Sequence, residues 1–170
     1  MIKNRTQKIV FTALLTALTC VTTMAVKIPT PLGGYVNIGD AIVLLAAVFL
    51  SPVHAVFSAG VGSALADLFS GYALYAPATL IIKSVMALIA FSVIRVFRGK
   101  RKLLAHALGA LLAALWMIFG YYVFEGFLYG FGASLVNIPA NAIQGAVGAV
   151  LGCLLVQMIE KIRPQGTDKE

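Results

Sequence analysis

Between Ile9 and Ile162 the sequence is a succession of apolar runs in which ionisable residues are almost absent, and that pattern restricts what the chain can become. About 20 consecutive apolar residues cross a bilayer as a helix. Composition supports the same conclusion: 61% of the residues are hydrophobic and 11% charged, against roughly 45–50% and about 25% in soluble domains. So large an apolar surplus has no soluble interior to occupy, and 170 residues leave room for five or six spans in a single domain, 1–170. The expected fold class is an all-α integral membrane protein, one bundle of six transmembrane helices with both termini cytoplasmic.

The first span is predicted over 9–26, after Lys3, Arg5 and Lys8. It is longer than a signal-peptide core and lacks an A-x-A-like cleavage site, so it reads as a retained helix. From Lys27 to Asp40 two prolines and three glycines exclude a regular helix and imply a structured loop. A short second helix is expected over 41–50, then a tight hairpin at Ser51-Pro52, with proline suited to the first turn of the next helix. The remaining helices are expected over 53–69, 74–96, 103–128 and 135–162, with a flexible cytoplasmic tail from about 163 to 170.

Topology follows from the cations. Lys3, Arg5, Lys8, Arg95, Arg98, Lys100, Arg101, Lys102, Lys161, Arg163 and Lys169, 11 of the 13, fall on the side of the termini. Only Lys27 lies on the other side, and Lys83 is inside the fourth helix. By the positive-inside rule the termini are cytoplasmic and the Pro/Gly loop faces out. The net charge of +7 is therefore a topology signal and not the footprint of a nucleic-acid partner.

Ionisable groups within a membrane are costly and mark cavities or partners. Lys83 lies about nine residues into the fourth helix, roughly 13 Å from its outer end at 1.5 Å per residue. Asp40, Asp67 and Glu125 also fall in the outer half, as do three polar stripes: Tyr75, Thr79 and Lys83; Tyr122, Glu125 and Tyr129; Asn137, Asn141 and Gln144. Such spacings place each set on one helix face. The inner halves are nearly devoid of polar groups, which describes a pocket open to the outside above a dry floor. Each group also has a structural role open to it. Asp40 is suited to cap the second helix, Asp67 and Lys83 to neutralise each other, and Glu125 to sit among headgroups. The tyrosines are suited to an aromatic belt.

Catalysis and metal binding find little support. His54 and His106 sit near cytoplasmic helix ends, away from the outer acids and from Ser63, and no phosphate-binding glycine loop is present. Cys20 and Cys153 lie in apolar runs and read as free thiols. No enzyme activity, cofactor or metal is expected. A stand-alone channel would need polar residues continuing to the cytoplasmic side, and a structural subunit would need no pocket. Small residues at helix-packing spacing occur as Ala13 and Ala17, as Ser58, Gly62 and Ala66, and as Gly148 and Gly152.

Six short helices, the Ala13-x-x-x-Ala17 pair, the loop ending Tyr35-Val-Asn-Ile-Gly-Asp40, and Ala66-Asp-Leu-Phe-Ser-Gly-Tyr72 followed by Tyr75-Ala-Pro-Ala-Thr-Leu-Ile-Ile-Lys83 resemble the substrate-binding S components of energy-coupling factor (ECF) vitamin transporters. The Asp67-to-Lys83 stretch is the most specific part, and looks like the branch containing riboflavin-, pyridoxine- and hydroxymethylpyrimidine-type S components. The resemblance implies a multi-pass protein of the bacterial plasma membrane. It further implies binding of a vitamin from outside and docking on a transmembrane coupling protein driven by two cytoplasmic ATPases. It also implies docking through Ala13 and Ala17, and a lid over the pocket with ligand-facing Tyr35 and Asn37. Together with the facial argument, the expected substrate residues are Tyr35, Asn37, Asp67, Tyr75, Thr79, Lys83, Tyr122, Glu125, Asn137 and Asn141. One buried cation beside up to three acids suits an unphosphorylated ring of the pyridoxine or hydroxymethylpyrimidine kind, riboflavin next.

Overall fold

The computed structural model describes residues 4–97 and 102–162. The expected tail at 163–170 and the cations Lys3, Arg98, Lys100, Arg101, Arg163 and Lys169 lie outside them. Six helical spans follow in order: α1 (Arg5–Ala25), α2 (Asp40–Phe49), α3 (Pro52–Phe69), α4 (Ala76–Val96), α5 (Lys102–Tyr129), and a last span beginning as α6 (Phe131–Ser134) and continuing as α7 (Ile138–Ile162). Five of the six are long and apolar enough to cross a membrane; α2, with ten residues, is not. Between α1 and α2 the loop folds into a small antiparallel hairpin of β1 (Ile28–Pro29) and β2 (Tyr35–Val36).

The boundaries have local causes. α1 starts a turn earlier than its apolar run because Arg5 and Lys8 continue the helix at its polar end. Ser51 is extended and Pro52 opens α3, where its missing N–H costs no hydrogen bond. The expected single helix over 135–162 is corrected. Gly130, at φ +93, lies between α5 and α6, and residues Leu135–Asn137 tighten into a 3-10 turn before Pro139 enters the first turn of α7.

α2 is short because it is interior. All residues from Asp40 to Ala47 are buried, as expected of a helix apolar all round its circumference. It packs on α7, α4, α3 and α1. Small residues allow these approaches: a Cβ on Gly148 would lie 2.5 Å from the Asp40 Cβ, and one on Gly62 2.6 Å from the Thr16 carbonyl oxygen of α1. The glycines of the third and last helices thus serve packing within the bundle. Below the level of Asp40 the interior is a continuous apolar cluster including Leu15, Val43, Leu44, Met86, Ala87 and Ala113.

The described cations separate by end. Arg5, Lys8 and His54 share one surface recess at the α1 start, and Lys102 at the start of α5 lies 3.9 Å from Glu160 near the end of α7. Lys27 is at the opposite end, donating to Ser70 Oγ at 3.0 Å.

Candidate functional site: a lidded polar cavity at the outer end

At the end opposite the clustered cations, the helices and the β1–β2 hairpin surround a narrow polar cavity. Of the ten residues expected from the sequence, Tyr35, Asn37, Asp67, Tyr75, Thr79, Lys83, Glu125 and Asn141 line it. They come from the hairpin and its outgoing strand, α3, the start of α4, α5 and α7. The spacing of Tyr75, Thr79 and Lys83 turns one face of α4 toward the cavity over two turns.

The β1–β2 hairpin is fastened over this cavity by side chains around it. Tyr35 Oη donates to Asp67 Oδ1 at 2.6 Å, Tyr75 Oη to the Leu32 carbonyl at 2.9 Å, and Asn137 Nδ2 to Thr30 Oγ1 at 3.3 Å. The Asn37 backbone N–H donates to Gln144 Oε1 at 2.9 Å. Gly33, at φ +79, makes the turn, while a Cβ on Gly34 would press on Thr30 and Tyr75. Burial, and then the neighbouring Asp67 carboxylate, hold the Tyr35 phenol above its usual pKa. For Tyr75 burial is again the main cause, followed by contact with Tyr129 and Glu125. Both hydroxyls therefore remain donors at neutral pH.

At the bottom of the cavity Lys83 Nζ donates to Asp40 Oδ1 in an ion pair whose two side chains are each 1% exposed. Gln144 Nε2 donates to the other Asp40 oxygen at 2.9 Å, and both Lys83 and Gln144 meet the Met117 sulfur at 3.1 Å. This corrects two expectations. Lys83 is neutralised by Asp40 and not by Asp67. Gly39 precedes the helix, and Asp40, its first residue, directs its carboxylate to Lys83 and Gln144 without capping the end.

Among the described residues, the other two acids of the cavity, Asp67 and Glu125, have no cation within ion-pairing distance. Asp67 has one oxygen on Tyr35 and the Thr79 hydroxyl close to its carboxyl, while its Oδ2 has no partner within hydrogen-bond distance; Thr79 also lies 3.0 Å from the Tyr121 hydroxyl, a contact in which either can be the donor. Glu125 Oε1 accepts from Asn137 at 2.8 Å and shares the Tyr75 hydroxyl proton, at 3.3 Å, with the nearer Leu32 carbonyl, and its Oε2 has no partner. Glu125 is buried, which places it in the cavity wall and not among headgroups.

Two expected residues are placed differently. Tyr122 faces away and packs on Phe131 with ring centroids 5.7 Å apart. Its neighbour Tyr121 lines the cavity, a one-residue error in the face of α5. Asn137 is buried behind the wall, holding Glu125 and Thr30. Sequence reasoning missed Thr23, Thr30, Gly34 and Ser63, which also line the cavity. For Thr23 a signal exists only in three dimensions. Thr12, Thr16, Thr19 and Thr22 of α1 each bond back to the carbonyl four residues earlier, whereas Thr23 Oγ1 has no partner. Ala13 and Ala17 are exposed on the outside of α1, away from the cavity, amid exposed Ile9, Val10, Leu14 and Val21. Among the described residues no three His, Cys, Asp or Glu gather in a group that could hold a metal ion.

A membrane-embedded bundle with a lidded cavity at one end and an apolar interior below it is the architecture of a substrate-binding membrane component. Comparison with known proteins gives its family. Residues 3–161 match the family of ECF-type riboflavin transporter S components, and the chain belongs to it. It is 36% identical over 144 residues to an uncharacterised protein of Pyrococcus woesei, covering 83% of this chain and 93% of that one. With the thiamine precursor transporter HmpT of Lactococcus lactis it shares 29% identity over 157 residues, 91% of this chain and 89% of that one. The fold superposes on the solved S component of a bacterial ECF transporter with a TM-score of 0.76 at 24% identity, covering 94% of this chain and 98% of that chain. The chain is accordingly a multi-pass membrane transport protein of a family of transporter components, not of enzymes.

Proposed function

We propose that the outer cavity is the substrate site and that it takes a small unphosphorylated vitamin or vitamin precursor of the hydroxymethylpyrimidine or pyridoxine kind, with riboflavin next. The carrying observation is the ion pair of Lys83 with Asp40. Among the described residues the one cation lining the cavity is already paired with Asp40, so a phosphate ester would enter a site with two acids and no described cation left to meet it. The rings of Tyr35, Tyr75 and Tyr121 provide surfaces on which a planar ring stacks. The likeness to HmpT supports the thiamine-precursor side of this reading. In this proposal the hairpin admits the ligand from outside, and the loaded protein docks through the exposed Ala13 and Ala17 face on an ECF transmembrane coupling protein served by two cytoplasmic ATPases. No cofactor or nucleic acid takes part.

The test is equilibrium binding of labelled hydroxymethylpyrimidine, pyridoxine, riboflavin, thiamine and pantothenate to the purified full-length chain, joined to uptake in cells with and without a coupling module. Submicromolar binding of one unphosphorylated ring, with uptake only when the module is present, is the expected outcome. The reading is abandoned if none of the panel binds, and the order of ligands is overturned if riboflavin alone does.

A further inference from the structure

The unpaired polar atoms of the cavity specify the ligand more closely. Buried oxygens without partners are rare and costly, so each one facing a cavity describes a group that is missing from it. Three such atoms belong to residues that line this cavity: Asp67 Oδ2, Glu125 Oε2 and Thr23 Oγ1. Asp67 and Glu125 are each less than 5% exposed, and both come with their other oxygen already held by tyrosine or asparagine donors. Their free oxygens are thus fixed in place.

These carboxylates stand on different walls, Asp67 on α3 and Glu125 on α5, with α4 packed between the two helices. No cation is available to satisfy either, because Lys83 is committed to Asp40. With both acids ionised, as a cationic or N–H-bearing ligand would hold them, an incoming carboxylate, phosphate or carbonyl oxygen would meet an acceptor on both sides. An amino or protonated ring nitrogen would meet two acceptors and supply the charge that the walls lack.

We propose that the site selects small rings bearing N–H donors, gripped from opposite sides by Asp67 and Glu125 with Thr23 as a third contact, over their oxygen-bearing counterparts. This rests on the cavity being the substrate site. It separates candidates that the overall reading leaves together: an exocyclic amine is the distinguishing group, and the hydroxyl common to all of them is not.

Matched ligand pairs test it in the full-length detergent-solubilised chain by titration calorimetry. One pair is aminated hydroxymethylpyrimidine against its counterpart with a methoxy group in place of the amine; the other is pyridoxamine against pyridoxine methylated on the oxygen that stands in place of the amine, so that each oxygen-bearing member offers only an acceptor there. The aminated member is expected to bind at least ~10-fold more tightly in the pair that the protein accepts, the scale on which a hydrogen-bonding site rejects a partner that leaves it unpaired. Asp67→Asn and Glu125→Gln, which keep shape and replace an acceptor with a donor, should each shrink that preference. Thr23→Val should weaken binding while Thr23→Ser preserves it.

Equal or tighter binding of the oxygen-bearing members overturns the inference, as does a preference that survives both carboxylate variants unchanged. Tightest binding by riboflavin or by an anionic vitamin also overturns it while leaving the S-component reading intact. Failure of every vitamin to bind removes both. Should the variants not fold, the ligand pairs on the unaltered protein still decide.

Discussion

Lys83 and Asp40 form an ion pair at the boundary between two compartments: Lys83 lines the polar outer cavity, and Asp40 borders the small apolar void beneath it. The pair joins α4 to α2, and Gln144 extends it to α7. Its position makes it part of the bundle's framework as well as the bottom of the site.

Removing one partner leaves a charge buried in hydrocarbon surroundings. Lys83→Met is therefore expected to cost about 3–5 kcal/mol of stability. The double variant Lys83→Met with Asp40→Asn should recover much of that loss. Thermal unfolding in detergent, as a double-mutant cycle, measures the coupling, and simple additivity of the two changes would exclude a structural role for the pair.

Tyr35→Phe deletes the hydrogen bond to Asp67 and should destabilise the closed hairpin by about 1–3 kcal/mol. Because the phenol is held above its usual pKa in the folded state, the native chain keeps a proton that the unfolded chain releases near pH 10. The contribution is therefore full below about pH 10 and declines as pH rises beyond it. Unfolding of wild type and variant between about pH 7 and 9 should show a constant gap; a gap that closes within that window contradicts the assignment.

Gly62 sets the distance between α3 and α1. An added methyl would meet the Thr16 carbonyl oxygen at 2.6 Å and Thr19 Cβ at 2.8 Å, so Gly62→Ala should lower stability by about 1–3 kcal/mol. Gly132→Ala, with nothing within 4 Å of the added atom, should change it by less than about 0.5 kcal/mol. Equal effects at the two sites would mean that the loss comes from backbone flexibility and not from helix contact.

Ala13→Trp with Ala17→Trp places bulk on an exposed face of α1 without touching the cavity. Ligand affinity of the isolated protein should stay within about twofold, since no contact to the site changes, while uptake supported by a coupling module should be lost. Retained uptake would assign the small pair to lipid-facing surface.

Much of the outer site was readable along the chain because charge and polarity are rare enough in apolar helices to stand out individually. Asp67, Thr79, Lys83 and Glu125 needed only depth and helical spacing. Pairing was not readable: Asp40 and Asp67 lie at similar depth, and only the packing of α2 against α4 decides which of them reaches Lys83. Tyr121 and Tyr122 stand four and three residues before Glu125, so both suit the face that carries it, and sequence spacing does not choose between them. The hairpin has strands of two residues each, too short for alternation to register. Thr23 looks like every other threonine of α1 until its missing backbone contact is seen.

The hairpin carries a kinetic consequence. Its fastenings to Asp67, Tyr75, Asn137 and Gln144 all belong to residues in or just behind the cavity wall. If the cavity is the substrate site, a captured molecule and its escape route would be governed by one small set of side chains. Thr30 lines the cavity and Asn137 also holds Glu125, so loosening their contact would change how tightly a ligand is held as well as how fast it enters and leaves. Residence time and affinity would then be set together, by the same side chains that close the cavity.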